Sequence, residues 1–282
     1  MGVEPSAAGT GRRRLIVNAD DFGRSASINQ AVIRAHCEGI LTTASLMVNE
    51  PASQEAVELA RKHPSLGVGL HLTLLCGHAA SPRALIPGLV NSANEFTDSS
   101  FEAGFRYFFQ TGLHPQLRQE VHAQFARFRA TGLPLDHLNG HLHLHLHPVI
   151  FRILMRDANE LGISRVRLTR DPFVLNLGLA SGALIYRTSH AVIFHSLSAR
   201  ARPKLEQRGF KHTDRVFGLL QNARVDEEYV CRLLERLPTG DSELYSHPSL
   251  DEFKEEFAAL ISPRVRERIQ ERGIQLIRYQ DL

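Results

Sequence analysis

From Leu15 onward, short apolar and β-branched runs alternate with longer stretches of helical periodicity, the pattern of strands that pair in parallel with helices laid over them. Residues 15–19 read as the first strand, 28–38 as an amphipathic helix closed by Gly39, and 42–48 as the second strand. A helix at 55–62 and a strand at 66–72 repeat the unit. The Pro, Gly, Asn and Ser content of 76–115 then predicts an inserted excursion able to lid a site. Helical spacing returns over 116–131 and stops at Gly132, and strands at 135–138 and 166–168 flank a helix at 149–161. A second insertion at 172–213 is apolar first and basic later, through Arg200, Arg202, Lys204, Arg208 and Lys211. The end is regular: helix 227–237, strand 243–245, helices from Glu252 and Pro263, and a last strand at 275–277.

At 282 residues with 43% hydrophobic content, the chain can build one large α/β core, since α/β barrels use roughly 200–250 residues around a single interior. The expected organisation is a flexible tail at 1–12 and one domain at 13–282 carrying the two insertions. A formal charge of only +3 gives nucleic acid no grip as a partner. The three cysteines, Cys37, Cys76 and Cys231, are odd in number and lack CxxC spacing, which excludes a disulfide framework and a zinc ribbon. With no apolar run like a signal peptide before Arg14, and the best apolar window (173–186) short and broken by Asn176, the expectation is a cytoplasmic protein without a spanning helix.

Fifteen histidines are the compositional outlier, and their placement directs attention to strand ends, where α/β folds carry their chemistry. Asn18-Ala19-Asp20-Asp21-Phe22-Gly23 follows the first strand. Two adjacent carboxylates repel, so a cation would let one act as ligand and the other as base; the same residues also suit a polar turn closed by Gly23. His71 ends the third strand, and imidazole is a common metal ligand. In His137-Leu138-Asn139-Gly140-His141-Leu142-His143-Leu144-His145-Leu146-His147-Pro148, extended chain would hold His141 and His147 ~20 Å apart, so at most a local pair meets one ion. His247, in Tyr245-Ser246-His247-Pro248, leaves a late strand and can donate a proton to a leaving amine. Arg167 and Arg170 follow another strand and can orient a carboxylate, or serve as surface ion pairs.

Taken together, the 18–23 block, His71, the 137–148 block and the Ser246-His247-Pro248 turn resemble the YdjC family of carbohydrate deacetylases over residues 13–282. The ending, Leu260-Ile261-Ser262-Pro263-Arg264-Val265 and 274–282, is most similar to the hopanoid-biosynthesis-associated branch (HpnK). The resemblance implies an α/β fold of distorted TIM-like (β/α) barrel type. It also implies hydrolysis of the N-acetyl group of an N-acetylglucosamine-bearing substrate with one divalent metal ion, releasing acetate. It maps Asp21, His71 and His141 to metal ligands, Asp20 to general base and His247 to general acid, and leaves His143, Arg170, Arg167 and Asn139 to substrate or to support of the ligands. An Asp-His-His set accepts Zn, Mg, Co, Mn or Ni. The branch implies a hopanoid glycolipid as partner, with peripheral contact at the inner face of the cytoplasmic membrane. The alternatives are a soluble chitooligosaccharide deacetylase, a non-catalytic sugar- or lipid-binding barrel, or a metal-dependent phosphoesterase. Ser249 departs from the family pattern, which has Gly or Ala after the His-Pro pair.

Overall fold

A computed structural model describes residues 11–179, 182–221 and 224–282, so most of the tail expected at 1–12 lies outside the described residues. In chain order the strands are β1 (Arg13–Phe22), β2 (Thr43–Leu46), β3 (Gly67–Leu72), β4 (Leu138–Gly140), β5 (Arg215–Phe217), β6 (Gly240–Ser246) and β7 (Gln275–Leu276). The helices are α1 (Ala26–Glu38), α2 (Ser53–Lys62), α3 (Ser100–Phe109), α4 (His114–Ala130), α5 (Pro148–Leu161), α6 (Phe173–Leu177), α7 (Leu184–Gln207), α8 (Glu227–Glu235), α9 (Lys254–Ile261) and α10 (Pro263–Glu271).

All named strands pair in parallel, in the order β4-β3-β2-β1-β6-β5. Parallel sheets are covered on both faces, which is why Leu15, Ile16 and Val17 form one unbroken apolar run and are all fully buried. β6 follows one edge of β1 from Arg13 to Ala19. The other edge is divided between β7, at Arg14 and Leu15, and β2, from Asn18 upward. The sheet curls until its outer strands meet through the chain at 165–170: Arg167 N–H donates to Leu138 O at 2.9 Å, and Val216 N–H to Arg170 O at 3.0 Å. The stretch expected as a strand at 166–168 is therefore the seam of a distorted TIM-like barrel, held by an isolated bridge from Val166 to Leu138. Strand β5, three residues long, had no legible pattern. Among the described residues no helix is long and apolar enough to cross a membrane.

The helices pack outside. Ser25 caps α1 by accepting the Ile28 N–H, as an N-cap serine does. At its other end, a Cβ on Gly39 would collide with the carbonyl oxygen of Leu260, which already accepts the Ile40 N–H at 3.0 Å. Backbone cannot step aside as a side chain can. Gly39→Ala is expected to destabilise the fold by about 1–3 kcal/mol, seen as a lower urea midpoint with unchanged slope.

Both stretches expected as insertions contain helices. In the first, Tyr107 anchors α3 by donating to Leu74 O at 2.7 Å, while Phe101, Phe105, Phe108 and Phe109 are exposed. In the second, α6 and α7 leave Val174, Leu184, Ile185, Val192 and Ile193 exposed.

Candidate active site

Side chains alternate between the two faces of a strand, so β1 sends Asn18 and Asp20 to the barrel interior, where Asp20 meets His71 of β3 and Asn139 of β4 and is joined through Arg167 to Glu243 of β6. The pairing of β1 with β2 slips between Ala19 and Phe22, and within that slip Asp21 adopts φ 63°. Such an irregularity re-aims side chains. Asp20 and Asp21 consequently face different neighbours.

Asp21 Oδ1 lies 3.2 Å from His71 Nε2 and 3.0 Å from His141 Nδ1, and those two nitrogens are 3.3 Å apart. Asn139 Oδ1, which only accepts, sits 2.7 Å from His71 Nδ1, so that nitrogen carries the proton and Nε2 presents its lone pair to Asp21. Two acceptors facing each other at 3.2 Å repel unless positive charge lies between them. One carboxylate and two imidazoles, with ligand atoms all within 4.8 Å of one another, match the donor set of a divalent metal site with a position left for water or substrate. Without a metal, a proton on the imidazoles supplies that charge: burial alone would raise Asp21, but His141 and His71 outweigh it and hold the carboxyl well below its ordinary range. A second cluster, His122, Asp157 and Glu160, is already satisfied: Arg118 and Arg156 occupy both oxygens of Asp157, at 2.6 and 3.1 Å.

Asp20 belongs to a different network. Arg167 reaches it with two nitrogens, at 2.6 and 2.9 Å, and Asn18 and Asn139 donate to it at 2.8 and 3.0 Å. Burial pushes Asp20 up, but Arg167 and His71 reverse this and keep it ionised well below the ordinary carboxylate range. The same guanidinium binds Glu243 at 2.9 and 2.6 Å and stacks under the Tyr245 ring at 4.5 Å, and the Tyr279 hydroxyl completes the set on Glu243. Arg167 is fully buried, so it supports the carboxylates rather than reaching substrate. Asn139 likewise bridges His71 and Asp20. Arg170, paired with Arg167 in the sequence reading, points elsewhere and lines another cavity.

The histidine tract is not extended. His141–Leu146 forms tight 3-10 turns in which Leu142 and His143 take left-handed conformations, φ 48° and 58°. Curling lets alternate histidines face different ways. His143 lines the cavity above Asp20 and bonds the Tyr245 hydroxyl at 2.9 Å, whereas His145 turns inward and donates to Arg167 O at 2.9 Å. Burial lowers both imidazoles, His145 to about 3.

His247 stands at the rim of that cavity. Burial would lower it, but Glu256, Asp21 and Asp20 raise it to about 9. Glu256 is buried, accepts the His247 N–H, and lies 3.8 Å from Nδ1. Ser249 supports the turn by accepting the Phe253 N–H at 2.7 Å. The cavity measures about 440 Å³, and besides Asp20, His71, His141 and His247 its walls carry Phe101 of α3 with Tyr186, Ile193 and Phe194 of α7. Sequence reasoning missed Glu243, Tyr245, Glu256 and Tyr279. The spacing of Glu243 and Tyr245, four and two residues before His247, was the available signal for two of them.

A family model described as YdjC-like protein matches residues 14–271. The carbohydrate deacetylase of Geobacillus stearothermophilus is 32% identical over 274 residues, covering 95% of this chain and 98% of that protein. The carbohydrate deacetylase of Brevibacillus brevis is 41% identical over 147 residues; there the match spans 52% of this chain and about half of the relative, 56%. A crystal structure from Enterococcus faecalis V583 superposes with a TM-score of 0.73 at 24% identity, covering 96% of this chain and 98% of that one, which shows a shared fold. A family match running from β1 to the end of α10 spans every strand end that carries a site residue and leaves only Tyr279 of the described network outside it: the chain belongs to the YdjC-like protein family.

Proposed function

We propose that this protein is a metal-dependent deacetylase that hydrolyses the N-acetyl group of an N-acetylglucosamine-bearing substrate, releasing acetate. Its class, a hydrolase acting on an amide, follows from family membership and from relatives that are carbohydrate deacetylases. The convergence of Asp21, His71 and His141 from three separate strand ends carries the reading. These three residues would hold a divalent cation. When bound, the cation supplies Lewis acidity, polarising an amide carbonyl and making water more acidic near neutral pH.

The chain's own residues move the protons. Asp20, ionised and fixed by Arg167, Asn18 and Asn139, accepts a proton from the water whose oxygen bonds to the acetyl carbon. His247, held protonated beside Glu256, gives its proton to the sugar nitrogen as the carbon–nitrogen bond breaks, so an amine departs rather than an amide anion. His143, fixed by Tyr245 and Thr169, is placed to contact the sugar.

The finer substrate is a glycolipid, of the hopanoid type that the branch resemblance suggests. Exposed phenylalanines of α3 and exposed aliphatics of α7 lie on helices that line the cavity, and such apolar edges with basic neighbours favour an anionic bilayer surface at the inner membrane face. The deciding assay measures acetate from N-acetylglucosaminyl glycolipids and from chitooligosaccharides, using chelated and metal-reconstituted protein. Acetate release lost on chelation and restored by one equivalent of metal is expected. Full turnover after chelation and dialysis contradicts the metal role, and release from chitooligosaccharides alone contradicts the glycolipid.

A further inference from the structure

Helix α7 separates two cavities. Tyr186, His190, Phe194 and Leu197 line the one above Asp20, whereas Thr188, Ala191, Val192 and His195 line another of about 640 Å³. At 3.6 residues per turn these sets fall on opposite sides of the helix axis. Neither face is simply core, which accounts for an α7 sequence without a clean apolar stripe.

The second cavity mixes cations with apolar surface. Arg170, Arg202 and Arg215 enter it beside His195, against Phe173 and Val192. The Arg170 side chain makes no hydrogen bond or ion pair among the described residues. Among the described residues Arg202 holds only exposed Glu206, at 2.7 Å, and Arg215 donates to Thr239 O at 3.1 Å, which leaves donors on both guanidinium groups. The two acids on the wall are turned to other partners. Asp171 accepts from Asn176 Nδ2 and the Leu220 N–H, both at 3.1 Å, and Asp214 accepts the Asp241 N–H at 3.1 Å.

We infer that this cavity is a binding site, separate from the hydrolytic one, for a phosphate monoester joined to an apolar group. Three guanidinium forks around one space exceed what a single carboxylate can use but suit the several oxygens and double charge of a phosphate. Phe173, Pro172, Ala191 and Val192 supply the contact surface for the apolar part. The shared chemistry has two sources, a soluble alkyl phosphate or the headgroup of a membrane lipid such as phosphatidic acid.

The test is calorimetric titration of the full chain with decyl phosphate below its micelle concentration, beside inorganic phosphate and decanol, together with flotation on phosphatidic acid vesicles. Saturable one-to-one binding of decyl phosphate, tighter than either half-ligand, is expected. Arg170→Ala should weaken it at least tenfold and Arg170→Ala with Arg215→Ala should abolish it, with circular dichroism unchanged. Asp20→Asn and His247→Asn should leave it intact. Capture by vesicles with the same dependence on Arg170 identifies the lipid as the source, and binding of the monomer alone identifies the soluble ester. Absence of saturable binding in both arms overturns the site, as does binding that ignores Arg170 and Arg215 or is lost with His247.

Discussion

An Arg167→Met variant is expected to lose about 3–5 kcal/mol of folding stability, because it strands two buried carboxylates that share one counter-charge. Asp20 is 2% exposed and Glu243 0%, and the guanidinium bonds both at 2.6–2.9 Å. Methionine fills a similar volume, so the loss reports charge rather than a cavity. The pH dependence follows from linkage. In the wild type, Asp20 titrates below its ordinary value of 3.8, with burial outweighed by Arg167; its contribution is present above that value and is lost as pH falls. Without Arg167 the strongest influence opposing burial is gone, the Asp20 carboxyl is pushed up on folding, and the variant grows weaker as pH rises. Urea unfolding at pH 5 and pH 8 should therefore show the larger deficit at pH 8. Asp20→Asn added to Arg167→Met should recover part of it. A deficit below about 1 kcal/mol, of the order seen for exposed pairs, would mean that the two acids do not depend on Arg167.

The strand ends were legible because parallel β-strands write their burial into continuous apolar runs: Leu15, Ile16 and Val17 announced β1, and Asp20 and Asp21 directly after them announced a site. What could not be read was pairing across the barrel. Arg167 looks like a ligand for substrate when its neighbours in sequence are all that is known; its partner Asp20 lies 147 residues away, and only closure of the sheet brings them together. The His-Leu alternation at 141–146 mimics the period of a strand, yet Leu142 and His143 turn left-handed and the tract curls. Period-two patterning reports alternation of environment and says nothing about backbone sign. Arg170 fails for the complementary reason: it is one residue beyond Thr169, which touches His143 at 3.3 Å, and the same alternation that brings Thr169 inward sends Arg170 to the outer cavity.

Asp20→Asn and His247→Asn should each lower acetate release ~10²- to 10⁴-fold, the usual contribution of one proton-transfer group, while Asp21, His71 and His141 still bind metal. The two losses differ in character. Asparagine at 20 cannot accept a proton, and it also discards the charge that Arg167 expects. Combining it with Arg167→Met should recover part of the stability that Arg167→Met loses without restoring turnover, which separates the folding role of that pair from the chemical one. Asparagine at 247 keeps the main-chain bond to Glu256 and removes the proton donor together with the charge that Glu256 faces. In metal-free protein the His247 pKa is raised from 6.5 to about 9, burial being outweighed by Glu256, Asp21 and Asp20. A group raised on folding stabilises below its unfolded pKa and loses that effect as pH climbs through the folded one. The stability advantage of wild type over His247→Asn, followed by urea unfolding of the chelated proteins, should be full below pH 6.5 and decline toward pH 9. An advantage flat across that interval would show that Glu256 does not hold the imidazole in its charged form, and the protonated donor required at the leaving nitrogen would then have to come from another group.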